Sequence, residues 1–157
     1  MKLVIRPSQK HDENQIIQLQ SELQQAEHVL DKTRNEGIDF AKKYLKYIRK
    51  EISKKHGAIF VAEYNNLIVG LLTLFIEKND IEEKEGSYLY ISDIVVSGLY
   101  RRQGIAQKLM MHAERFAKEH GLKEIRLGVL ANNMSALNLY QKKGYKTRII
   151  NLSKKLK

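Results

Sequence analysis

The sequence has no cysteine and no tryptophan, a single proline (Pro7), and no apolar run longer than Leu67 to Ile76. Without cysteine there is no disulfide, no thiolate zinc site and no thiol nucleophile. The apolar run is about half of the roughly 20 residues that a membrane-spanning helix needs. The opening residues, Met1 to Arg6, turn polar at once and carry no signal-peptide core, which places the protein in the cytoplasm. The five histidines (11, 28, 56, 112 and 120) form neither an HExxH nor an i, i+4 pair, so no metal is expected. Acidic residues are also missing from Ile125 onward, where Arg126, Lys142, Lys143, Lys146, Arg148, Lys154, Lys155 and Lys157 add eight positive charges. A second basic stretch runs from Lys42 to Lys55, within a net charge of +10. Such stretches attract a nucleotide cofactor, RNA or an anionic surface, or else form a solvated lysine-rich face.

At 157 residues, 43% hydrophobic and 29% charged, the chain has the size and composition of one globular domain spanning 1–157. Leu3 to Arg6 reads as a strand. Apolar residues then recur at helical spacing through Ile16, Leu19, Leu23, Ala26 and Val29 or Leu30, and again through Ile38, Ala41, Leu45, Ile48 and Ile52. Ala58 to Tyr64 and Leu67 to Ile76 read as a hairpin joined by Asn65-Asn66, since asparagine tolerates the left-handed turn conformation. A strand over Ser87 to Ser97 follows, then a helix (about Gln103 to His120), a strand (Lys123 to Leu130), a helix (about Met134 to Lys143) and a last strand from Tyr145. The order predicts an α/β fold, antiparallel first and parallel later.

The segment Ile94-Val95-Val96-Ser97-Gly98-Leu99-Tyr100-Arg101-Arg102-Gln103-Gly104-Ile105-Ala106 is where chemistry first shows. A β-branched strand ends, two arginines follow, and a helix opens over a glycine and an alanine. Helix N-termini carry unpaired N–H groups and partial positive charge, which suit phosphate. There is no GK[ST] and no GxGxxG, so neither nucleotide loop of those types is present.

Arg101-Arg102-Gln103-Gly104-Ile105-Ala106 resembles the R/Q-x-x-G-x-G/A motif of the GNAT N-acetyltransferase superfamily. Asn133-x-x-Ala136-x-x-Leu139-Tyr140-x-x-x-Gly144-Tyr145 resembles a second segment of that family, with Tyr145 in place of the usual Phe. The resemblance is sharp over 88–145, extends to the 58–76 hairpin, and in the first 55 residues is one of element order only. It implies a GNAT-like fold, a mixed sheet of about six strands flanked by about four helices, with acetyl-CoA as cosubstrate. It implies that the amides of the 101–106 loop hold the pyrophosphate, that Ile94, Val95 and Val96 pair with the pantetheine arm, that Asn133 bonds that arm, and that Tyr140 lies near its sulfur.

Acetyl transfer to an amine needs a neutral nucleophile, a held thioester, oxyanion stabilisation and protonation of the leaving thiolate. With no cysteine, direct attack in a ternary complex is the simplest route. An alkyl amine of pKa about 10.4 arrives charged and must lose a proton. Backbone N–H groups of Ile94 to Val96 could polarise the carbonyl, as the family does. A phenol of pKa about 10 at Tyr140 suits the thiolate, of pKa about 8.5. Where some family members carry a glutamate base this chain has Ser92. The adjacent Asp93 is the candidate base, although strict strand alternation points it to the other face unless a bulge intervenes. Deprotonation through water is equally open.

The acceptor is a small amine or polyamine, an aminoglycoside-like amine, a protein amine, or an aminoacyl-tRNA. The basic C-terminal third favours an anionic macromolecule such as RNA. After Tyr145 a single strand, Thr147 to Leu156, is expected to close the sheet, or a partner subunit of a homodimer supplies the edge. The alternative function is a non-catalytic GNAT-like domain that binds coenzyme A or RNA.

Overall fold

The computed structural model describes residues 2–157. Five strands form one sheet in the order of the chain: β1 (Leu3–Pro7), β2 (Ala58–Tyr64), β3 (Leu67–Lys78), β4 (Ser87–Val96) and β5 (Ile125–Leu127). The first four are antiparallel and β5 joins β4 in parallel, the crossover being helix α3 (Ile105–Glu119). Pro7 ends the edge strand β1, where a missing N–H does least harm. Asn65 and Asn66 turn the hairpin with φ of 49° and 63°, the two consecutive left-handed residues that a tight hairpin requires.

Helices α1 (Glu13–Leu30) and α2 (Ile38–Lys54) cover one face of the sheet. Ile16, Leu19, Ala41, Leu45 and Ile48 pack there on Leu71, Phe75 and Val95. On the other face Ile105, Leu109, Ala113 and Ala117 of α3 meet Leu72, Leu74 and Leu89. The strands between these layers are buried on both sides, and for that reason β3 reads as a nearly continuous apolar run. A last helix, α4 (Met134–Lys142), follows β5.

Two sequence expectations need correction. The sheet has five strands, not six: residues after Tyr145 form no strand, and Ile149, Ile150, Leu152 and Leu156 are exposed. Five cations and a serine-asparagine mix over 146–157 leave too little apolar surface to dock this segment on an edge. The strand expected over Lys123 to Leu130 is only Ile125–Leu127, because β5 parts from β4 beyond the Ile91–Leu127 pair.

Gly57, between α2 and β2, has the opposite problem of space. A Cβ there would strike the Leu74 carbonyl and come within 2.7 Å of the Phe75 Cβ. Gly57→Ala is therefore expected to lower stability by about 1–3 kcal/mol, the usual cost of overpacking. Thermal unfolding checks this. An unchanged Tm would mean that α2 moves off the sheet freely.

Candidate active site

The parting of β4 and β5 is the central feature of the site. Pairing stops at Ile91–Leu127, and beyond it β4 is bonded only to β3 on its other side. A cleft of about 80 Å³ opens between Ser92–Ile94 of β4 and Leu127–Leu130, with α1 closing it through Leu23 and Glu27 and α4 through Ala136 and Tyr140. Within the cleft the β4 backbone offers its free edge, a row of unused N–H and C=O groups suited to an extended amide-containing chain.

A β-bulge explains how β4 changes course here. Thr73 stands opposite Asp93 and Leu74 opposite Ile91, so Ser92 is the extra residue. A bulge interrupts alternation. Accordingly the Ser92 hydroxyl (3.0 Å) and both Asp93 oxygens (3.1 and 3.2 Å) lie within hydrogen-bond reach of a single group, the Tyr44 hydroxyl of α2. Thr73 also donates to Asp93. The Gln20 side chain lies in the same wholly buried region of α1 without a hydrogen bond of standard geometry. Asp93 is 7% exposed, and burial pushes its pKa above the ordinary carboxylate value although Thr73, Tyr44 and Ser92 favour the charged form.

Tyr140 is 8% exposed and lines the cleft, its hydroxyl free of hydrogen bonds to other described residues. Burial pushes its pKa up to about 12, so the phenol is a weaker acid than composition alone implied and stays protonated through the physiological range. Asn133 caps α4 through its Oδ1, which accepts from the Ala136 N–H at 3.2 Å. That bond fixes the amide of a residue that lines the cleft and leaves its Nδ2 unused among the described residues. Sequence reasoning brought Asn133, Tyr140, Asp93 and Ile94 to one place, and all four line the same cavity. Val95 is buried in the core below it, so only its main chain can serve.

The basic loop lies at the far end of β4. A short 3-10 turn (Gly98–Tyr100) leads to Arg101, Arg102, Gln103 and Gly104, all exposed. Arg102 (φ 63°) and Gly104 (φ 77°) are both left-handed and curl the chain into the start of α3. No side chain caps that helix, so the amides at Ile105, Ala106 and Gln107 have no acceptor within it. Arg101 folds its Nε onto the Val96 carbonyl at 3.0 Å, which seats its charge beside the strand end. An open helix N-terminus, two guanidinium groups and a free strand edge in line with them fit a pyrophosphate joined to a long amide arm.

Sequence reasoning missed Glu27. It follows Ile16, Gln20 and Leu23 at i+4, i+7 and i+11 along the inner stripe of α1, and lies half-buried at the cleft. A glutamate on a core-facing stripe was the available signal. The hydroxyl cluster of Tyr44, Ser92 and Thr73 had none, because its members are brought together by the bulge. Among the described residues no group of His, Asp and Glu side chains could hold a metal, and no helix is long and apolar enough to cross a membrane.

The model of the acetyltransferase (GNAT) family matches residues 19–145. Human N-acetyltransferase 8 is 31% identical over a stretch covering 69% of this chain and 44% of that protein. The streptothricin acetyltransferase of Escherichia coli is 33% identical over 63% of this chain and 53% of that protein. The chain thus spans about half the length, or less, of these curated relatives. Among solved structures, the aminoglycoside N-acetyltransferase AAC(6')-Iy in complex with CoA superposes with a TM-score of 0.76 at 18% identity, over 99% of this chain and 96% of that one. At that identity the likeness shows the fold.

Proposed function

Since this chain belongs to the acetyltransferase (GNAT) family, we propose that it moves an acetyl group from acetyl-CoA to a primary amine by direct attack within the β4–β5 cleft. The observation that carries the reading is the convergence of an uncapped α3 N-terminus, an unpaired β4 edge, Asn133 and Tyr140 along one path. Arg101, Arg102 and the amides from Gln103 to Ala106 would hold the pyrophosphate, and the β4 main chain with Asn133 the arm. When bound, the cosubstrate supplies an activated acyl carbon and a thiolate leaving group.

The residues of this chain then have three tasks. Main-chain N–H groups of Ile94 to Val96 donate toward the acyl oxygen as it gains charge. Tyr140 donates to the sulfur, its hydroxyl being the one side-chain proton source of α4 among the residues that line the cleft. Two carboxyl groups, Asp93 and Glu27, line the cleft and are sinks for the amine's proton, Asp93 by way of the Ser92 or Tyr44 hydroxyl.

The acceptor is the finer part of the reading. The likeness to the streptothricin acetyltransferase supports a small amine-bearing substrate. The exposed lysines at 142, 146, 154, 155 and 157 support a primary amine carried on an anionic macromolecule. A homodimer accords with the unpaired outer edge of β5 and the exposed Ile149, Ile150 and Leu152, which a second copy would cover. Thiol release from acetyl-CoA over a panel of aminoglycosides, polyamines and peptide N-termini tests the activity. Amine-dependent release with matching acetylated product is expected, and release that no amine accelerates would contradict it.

A further inference from the structure

Resting on the acetyl-transfer reading, we propose that Glu27 is the catalytic base: it receives the acceptor as an ammonium ion at the mouth of the cleft and takes its proton directly. Glu27 and Asp93 are the only carboxylates that line the cleft among the described residues, and their settings differ. Asp93 lies beneath the strand surface with Tyr44 and Thr73 donating to it, so its oxygens are committed. The Glu27 side chain makes no hydrogen bond to other described residues, while its main-chain carbonyl accepts one from the Asp31 N–H. Its one ion pair, with Arg34 of the α1–α2 loop, is long at 3.9 Å and half open to water. An entering cation displaces such a contact at little cost.

The surroundings also set the basicity of Glu27. Burial against the cleft and the nearby Asp93 hold its pKa above the ordinary glutamate value, while Arg34 opposes them. A carboxylate moved upward in this way is a better base, and its charged form attracts an ammonium ion. Tyr140 faces it from α4, close enough that the Glu27 charge adds to the upward push on the phenol. Base and acid therefore face each other across the space where the acyl carbon would sit.

One ammonium proton passes to Glu27 and on to water. The freed nitrogen pair forms the N–C bond and the C–S bond breaks, the sulfur taking the Tyr140 proton. The second nitrogen proton, lost as the amide forms, restores Tyr140. The substrate class this selects is a basic, cationic primary amine, and a neutral amine would not need Glu27.

The test uses that difference. Acetylation of ethylamine and of 2,2,2-trifluoroethylamine, which is already neutral at pH 7, is measured for the whole chain and for Glu27→Gln and Glu27→Asp. Glu27→Gln is expected to lower kcat/KM for ethylamine about 10²–10⁴-fold while changing that for trifluoroethylamine less than about tenfold. Glu27→Asp is expected to regain part of the ethylamine rate. Equal losses on both amines, with acetyl-CoA affinity intact, would overturn the base role and leave acetyl transfer standing. If the unaltered protein acetylates neither amine, nor any amine of the wider panel, the acetyl-transfer reading falls and this one with it.

Discussion

Replacing Tyr140 by phenylalanine is expected to lower kcat for acetyl transfer by about 10²–10⁴-fold, the usual worth of a positioned proton donor. The change removes one oxygen that makes no hydrogen bond to other described residues, so little folding stability is lost with it. The ring stays in place against Tyr145, whose centroid is 5.8 Å away. Acetyl-CoA affinity should accordingly move little, and the loss should fall on kcat. Because burial holds the phenol near pKa 12, the activity of the parent should show no alkaline loss from Tyr140 ionisation below about pH 11. Steady-state kinetics of both proteins across pH decide the matter. A Tyr140→Phe variant with the parent's kcat would remove the phenol from the mechanism.

The second large effect belongs to the basic loop. Arg101→Ala with Arg102→Ala removes two guanidinium groups beside the α3 N-terminus but no core contact, since both residues are exposed. A hydrogen bond to a charged group is worth about 1.5–3 kcal/mol, and two at an exposed site should together weaken acetyl-CoA binding about 10- to 100-fold. The amides of α3 remain, so binding should weaken without vanishing. The readout is thermal unfolding with and without acetyl-CoA, because a ligand that binds only the folded state raises Tm according to its saturation. The parent should gain several degrees at a ligand concentration where the double variant gains almost none. Equal gains would move the pyrophosphate away from this loop.

Much of this architecture is legible in the sequence because it rests on local rules. The Asn65-Asn66 turn and the apolar stripe of α2 announce their conformation through residue chemistry, and the structure places both as read, while the helix expected from about Gln103 begins at Ile105, after a left-handed Gly104. The two motifs proposed to hold the phosphate and the arm are likewise runs of residues close in sequence. What was not legible depends on partners distant in sequence. A bulge near Asp93 was open from the sequence, but its place at Ser92 is set by the register between β3 and β4, and it brings Ser92 and Asp93 to one hydroxyl of α2. Glu27 acquires its role only when α1 is laid across the parting strands. The closing strand expected over Thr147–Leu156 does not form, because β5 spans only Ile125–Leu127 and offers too short an edge to receive it.

Acetyl transfer as proposed requires residues 94–106 and Asn133 to form one acetyl-CoA cleft. Its most direct test is a calorimetric titration of the whole chain with acetyl-CoA at two salt concentrations. One saturable site per chain is predicted, weakening as salt screens the arginines of the loop. No binding at either salt concentration would contradict the reading of the parted strands and of the open α3 N-terminus together.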